Sequence, residues 1–146
     1  MGTVIRHPTS CNGKTIRYQW VAEMCGNKRT EADVISVLIG YTESAYMNKK
    51  QGQHGWEWIS LSIPYLMALT TESRRTVQRA LKWLKEHDLV SVRGPSGDAT
   101  KKSYRLNLEL LSKVSEARDK EGGPVHLVRY AGVREVSIVP GIPEKR

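Results

Sequence analysis

Cysteine is scarce in this chain: only Cys11 and Cys25 occur, and they form no C-x-x-C pair. The four histidines stand apart, at positions 7, 54, 87 and 126. A tetrahedral zinc site needs thiolates and imidazoles at close spacing, so no metal and no other cofactor is expected. Cys25, which ends the stretch Val21-Ala22-Glu23-Met24-Cys25, reads as a small buried thiol. Long apolar runs are missing too. None approaches the ~20 residues that cross a bilayer, so no membrane span is expected. The opening residues MGTVIRHPTS lack the apolar core of a signal peptide. Met1-Gly2-Thr3 begins like a myristoylation site, but Arg6 stands where Ser or Thr is needed. A cytoplasmic location is therefore expected. No nucleophile–base pair and no glycine-rich phosphate loop occurs at a useful spacing, and the acidic residues are scattered, so no enzyme activity is expected. Internal repeats and low-complexity segments are absent as well.

What is present is positive charge. The 146 residues suffice for one domain with a core, and 39% hydrophobic with 26% charged residues is ordinary for a globular protein. A net charge of +8 and a pI near 9.7 are not ordinary. They favour a polyanionic partner, with a solubilising surface as the plain alternative. Placement decides between these. From Ser73 to Arg105 nine Lys or Arg face three Asp or Glu, so +6 of the +8 lies in one segment.

Residues 1–15 carry Pro8, Ser10, Asn12 and Gly13 and read as a flexible lead-in. Ile16 to Cys25 is ambiguous, although Tyr18, Trp20, Val21 and Met24 would share a helical face. Gly26-Asn27 is a stop signal. A helix is predicted over 30–47, with Thr30 as its N-cap and Glu31 and Asp33 in a first turn where the dipole favours carboxylates. Its Val34, Ile35, Val37, Leu38, Tyr41 and Ala45 recur at three- and four-residue spacing, a wide apolar face that makes it the expected scaffold helix of the core. The same residues would also suit a dimer face. After the loop Lys49–Gly55, the stretch Trp56–Ser62 alternates like a strand, with Ile59 and Leu61 on one side. Its two tryptophans are expected to pack rather than stack on bases. Ser62 caps a short helix, Ile63 to Thr70, with Pro64 tolerated in the first turn. Thr71-Glu72 interrupts, and Ser73 caps a second helix that ends at His87 or Asp88. Strands are predicted over Leu89–Arg93 and Ser103–Leu108, with Tyr104, Leu106 and Leu108 on one face. The polar, glycine-rich segment between them makes a hairpin whose tip ends in Lys101-Lys102. Beyond it, a helix over Leu110–Lys120 stopped by Gly122-Gly123-Pro124, a second hairpin from Val125–Tyr130 and Val133–Val139, and a frayed tail from Pro140 to Arg146 are expected.

On a helical wheel, Val77, Ala80, Leu81 and Leu84 face the core. Arg74, Arg75, Gln78, Arg79, Lys82 and Lys85 lie opposite. Arg binds guanine in bidentate fashion and Gln pairs with adenine, while Ser73 and Thr76 are short enough to let backbone N–H groups approach a phosphate. A solvated basic face is the plain alternative. The run Leu66–Leu81, with Ser73-Arg74-Arg75-Thr76-Val77-Gln78-Arg79-Ala80-Leu81 followed by Leu84 and Leu89-Val90, resembles the winged helix-turn-helix of phage and plasmid replication initiators and small bacterial transcriptional regulators. The resemblance covers about 50 residues, or about 80 with helix 30–47 as the first helix of the fold. It departs at Thr71 and Asp88, where such domains usually carry Gly, and at Glu72, where they carry an apolar residue.

The resemblance implies an α+β, mainly α fold: a winged-helix domain over 16–108 with a three-helix core and a β-hairpin wing. A C-terminal extension over 109–146 follows, a candidate for dimerisation. It implies sequence-specific binding of double-stranded DNA by a homodimer, as a transcriptional regulator or, alternatively, an origin-binding initiation protein. A third reading is a winged helix used for protein or RNA contacts. The location implied is the nucleoid, in the host cytoplasm if phage-encoded. The site residues implied are Ser73, Arg74, Arg75, Thr76, Gln78, Arg79 and Lys82 on the recognition helix and Arg93, Lys101 and Lys102 on the wing.

Overall fold

A computed structural model describes residues 19–94 and 101–143. The lead-in, the centre of the first hairpin loop and the last three residues, on which some of the expectations above fall, lie outside them. The described chain is α+β, about half helical with two small antiparallel sheets. It begins with the short helix α1 (Gln19–Met24) and turns at Gly26 and Asn27, both at positive φ. The long helix α2 (Arg29–Asn48) follows. Strand β1 (Trp58–Leu61), helices α3 (Ile63–Thr70) and α4 (Arg74–Glu86), and strands β2 (Val90–Arg93) and β3 (Lys102–Leu106) come next. Helix α5 (Leu108–Glu121) and strands β4 (Val125–Val128) and β5 (Ser137–Pro140) complete the order.

Helix α2 starts earlier than Thr30. The cap position is Lys28, in extended conformation, and Thr30 is buried inside the first turn. The two left-handed residues at 26 and 27 reverse the chain so tightly that Lys28 already accepts the first helical bond, from Ala32. From Val34 to Gly40 every residue of α2 is buried, so burial there extends beyond one face. Tyr41 is the exception among the positions expected inside. It stays 37% exposed, with its hydroxyl hydrogen-bonded to that of Tyr65 on α3. Burial, helped by the Tyr65 hydroxyl, pushes the Tyr41 phenol up to about 12.

Helix α3 has the expected bounds, because Ser62 accepts the N–H of Tyr65 and Pro64 fills a first-turn position that needs no donor. Thr71 closes the helix in the left-handed conformation (φ 55°, ψ 36°), and the N–H groups of Thr71 and Glu72 both reach the Met67 carbonyl. Three residues later the chain is helical again. Helix α4 packs on α2 and α3 through Val77, Ala80, Leu81 and Leu84, all buried. Each such side chain contributes roughly 1.5–3 kcal/mol when fully buried, less for alanine. Asp88 (φ 58°) then turns the chain out of α4 into β2.

The first sheet has the order β1-β3-β2, so the hairpin carries β1 as a third strand. Trp58 lies opposite Arg105 and Leu61 opposite Lys102, while Val90 pairs with Leu106 and Arg93 with Ser103. Ile59, Leu61, Val90, Tyr104 and Leu106 point inward and are buried. Leu108 does not continue β3. Asn107 leaves the ladder, accepts the N–H of Leu110 and caps α5, so Leu108 is its first residue. The same Asn107 donates from Nδ2 to the Asp88 carbonyl at 2.9 Å, and its N–H to the Leu89 carbonyl.

Residues 108–143 belong to the same core. Leu111, Val114, Val125 and Leu127 join one cluster with Val21, Met24 and the buried residues of α2. Arg118 of α5 donates to Glu23 of α1 at 2.7 Å, which gives that nearly buried carboxylate its partner. Strands β4 and β5 form the second hairpin. The tail is not frayed at its start. Gly141 donates to the Pro124 carbonyl, its own carbonyl accepts Nδ1–H of His126, and the Pro143 ring lies beside Gly26. Among the described residues no helix is long and apolar enough to cross a membrane.

A β-branched residue in the left-handed region is strained by about 1–2 kcal/mol, and glycine is not. Replacing Thr71 by Gly should therefore stabilise the fold by about 1 kcal/mol in urea unfolding, after glycine's larger unfolded-state entropy is allowed for. A net loss of stability would contradict the left-handed turn.

Candidate nucleic-acid interface

Two apolar contacts decide which face of α4 meets solvent. With Val77 and Ala80 turned to α2 and α3, and Leu81 and Leu84 completing the row, the opposite positions are forced outward. Arg74, Arg75, Gln78, Arg79, Lys82 and Lys85 are all exposed, as the wheel predicts. Lys82 is 4.0 Å from Glu86 one turn on, an exposed pair of small energetic weight.

The N-terminal end of α4 is electrostatically unusual. A helix N-terminus carries a partial positive charge and favours carboxylates, yet the first turn has no acid and opens with Arg74-Arg75. Two guanidinium groups at the positive end of a dipole disfavour the isolated helix and concentrate potential for an anion. Ser73 and Thr76 have a more local task. The Ser73 hydroxyl accepts the Thr76 N–H at 3.2 Å and lies 2.8 Å from the Thr76 hydroxyl. Ser73 is the cap of the helix, and Thr76 is half-buried beside it.

The three expected wing residues divide. Lys101 is exposed just before β3, and Arg93 is exposed at the end of β2. Lys102 departs from expectation. It is the first residue of β3, half-buried, on the same side of the strand as Tyr104 and Leu106. The centre of the loop between β2 and β3 lies outside the described residues.

Sequence reasoning missed one arrangement. Alternation puts Trp58, Ser60, Ser91, Arg93, Ser103 and Arg105 on the solvent side of the first sheet. There the Arg93 guanidinium lies 4.0 Å from the Trp58 ring centroid and that of Arg105 lies 6.0 Å from it. Beside them the Ser60 and Ser103 hydroxyls are 3.2 Å apart. Trp56, in contrast, packs edge-on against Tyr46 at 5.2 Å, as a packing tryptophan should. A signal for the cluster existed in the alternation of 56–62 and 103–108. Its use required knowing that β1 pairs with β3. Among the described residues no three His, Cys, Asp or Glu come together as a metal site.

No family model, no curated protein and no solved structure matches the chain.

Removing the capping hydroxyl separates its structural task from any contact with a partner. Ser73→Ala should cost about 1 kcal/mol of stability in urea unfolding, the usual loss of an N-cap. A change below roughly 0.3 kcal/mol would show that another group caps α4.

Proposed function

We propose that the protein is a sequence-specific double-stranded DNA-binding protein of the winged helix-turn-helix type, acting as a small transcriptional regulator. The single observation that carries this reading is the exposed face of α4, where five Lys or Arg residues and Gln78 gather opposite an apolar row. In this reading α3 and the turn at Thr71 set α4 across the major groove. Arg75 and Gln78, near its N-terminal end, read base edges. Arg74, Arg79 and Lys82 neutralise phosphates on either side, and Ser73 and Thr76, bonded to each other at the cap, are short enough to let the helix start approach the backbone. Lys101 reaches the backbone from the hairpin beside the groove, while Arg93 meets it from the outer face of the sheet. Lys102, half-buried, contributes field rather than a direct contact. A two-fold homodimer would double a short site into a pair of half-sites. The location follows from the partner: nucleoid DNA in the cytoplasm.

The experiment is selection of bound sequences from a random duplex pool at near-physiological salt, because low salt makes any basic protein bind. An enriched palindrome is the expected result and would establish a dimeric reader. Tandem direct repeats would move the assignment to origin binding in replication. A pool without enrichment would overturn sequence-specific recognition and favour protein or RNA contacts. With a selected site in hand, Arg75→Ala and Gln78→Ala should each cost about 1–3 kcal/mol of specific affinity in titrations. Full retention of specificity by both would remove α4 from base reading. Replacing Lys101 and Lys102 together by Ala should weaken all duplexes alike. It should flatten the slope of log affinity against log salt by about 0.9, the value for one phosphate contact, since Lys101 alone is exposed.

A further inference from the structure

The solvent side of the first sheet has no part in the packing of the domain, and its side chains share one chemistry. Within β1, β2 and β3 it carries two arginines, one tryptophan and three serines, and no carboxylate. Two acids, Glu57 and Glu109, stand at the end of the sheet nearest Arg105, where they line a cleft of about 550 Å³ with Trp56, Ser91 and Asn107. At the other end the exposed described residues that carry charge are Arg93 and Lys101.

An arginine lying over an aromatic ring is held by the ring's negative face, while its N–H groups remain directed outward in the plane of the guanidinium. Those in-plane donors match the oxygens of a phosphate. Both arginines approach the Trp58 ring from the other two strands of the sheet, Arg93 at 4.0 Å and Arg105 at 6.0 Å from its centroid. Neither arginine has a carboxylate partner among the ion pairs of the described residues. Holding a long side chain in place beforehand reduces the ordering it must undergo on binding.

We propose that this sheet face is a second seat for the phosphodiester backbone of duplex DNA. Arg93 and Arg105 are its phosphate ligands, and Trp58 is the positioning residue that holds both. The proposal rests on the DNA-binding reading of α4 and adds a surface that faces away from the helices, so that the duplex is gripped on two sides of the hairpin. The seat is sequence-independent, because backbone phosphates carry no base information.

The test is binding of the full chain to a random-sequence duplex of about 30 base pairs across a salt series, in which each phosphate contact adds about 0.9 to the slope. The variants are Arg93→Gln with Arg105→Gln, Trp58→Leu, Trp58→Phe, and Arg75→Ala with Arg79→Ala on α4. The double glutamine variant should lower the slope by about 1.8, equivalent to two phosphates. Both of its positions are exposed, so folding is unaffected and its result stands without the tryptophan variants. Trp58→Leu should lower both affinity and slope, and Trp58→Phe, which keeps a ring, should restore the slope.

An unchanged slope in the double glutamine variant, with binding still lost in the α4 variant, would overturn the second seat and leave the α4 reading standing. A normal slope in Trp58→Leu would overturn the positioning role of the tryptophan. Loss of slope in the glutamine variant, with full binding in the α4 variant, would support the sheet face and remove the recognition helix. No binding of the unaltered protein to any duplex would overturn both.

Discussion

Burial of the centre of α2, Val34 to Gly40, on all sides is the constraint on which the rest of the structure depends. A helix segment buried all round must be surrounded, and α1, α3, α4 and the first sheet each pack against α2. Once α4 has committed Val77, Ala80, Leu81 and Leu84 to that core, its charged residues have one direction left. Desolvating even one of its Arg or Lys side chains without a partner would cost several kcal/mol, more than most single contacts contribute. The basic face of α4 is thus a product of the packing of α2. The proposed function bears only on its composition, a basic run with no acid in the first turn of the helix.

The chain stiffens the surroundings of α4 with local polar bonds. Ser73 closes its start, and its end is tied through Asp88 to Asn107. Asn107 makes three bonds at once: to the turn after α4, to the first residue beyond that turn, and to the first turn of α5. One amide side chain and its own N–H thereby join α4, the root of the hairpin and the C-terminal helix. That arrangement limits movement at the root of α4, where a small positional error would be multiplied at the tip of a long side chain.

Much of this was legible in the sequence, for a physical reason. The bounds of α3 and α4 follow from capping chemistry that acts within four residues, at Ser62, Pro64 and Ser73. The inward and outward faces follow from the 3.6-residue period. Thr30 looks like the cap of α2, whereas the tight turn at Gly26-Asn27 places the chain in position two residues sooner, at Lys28. Alternation continues through Leu108, whereas Asn107 leaves the ladder by capping α5 and bonding the Asp88 carbonyl, 19 residues away. The Arg93–Trp58–Arg105 cluster and the Glu23–Arg118 pair were out of reach. Both depend on which distant elements come together, and no local pattern encodes that. The DNA-binding assignment stays a proposal resting on the chemistry of α4.

The depth of α2 also determines how the molecule breathes. Amides from Val34 to Gly40 are hydrogen-bonded within the helix and shielded by side chains on every face, so their protons exchange with water only when the whole domain opens. Thr71 and Arg93 lie at exposed positions, so amides near them should exchange through smaller fluctuations. Slow exchange in α2 beside faster exchange around the α3–α4 turn would describe a domain with a rigid centre beneath a softer surface turn, while the capped body of α4 keeps its place on that centre.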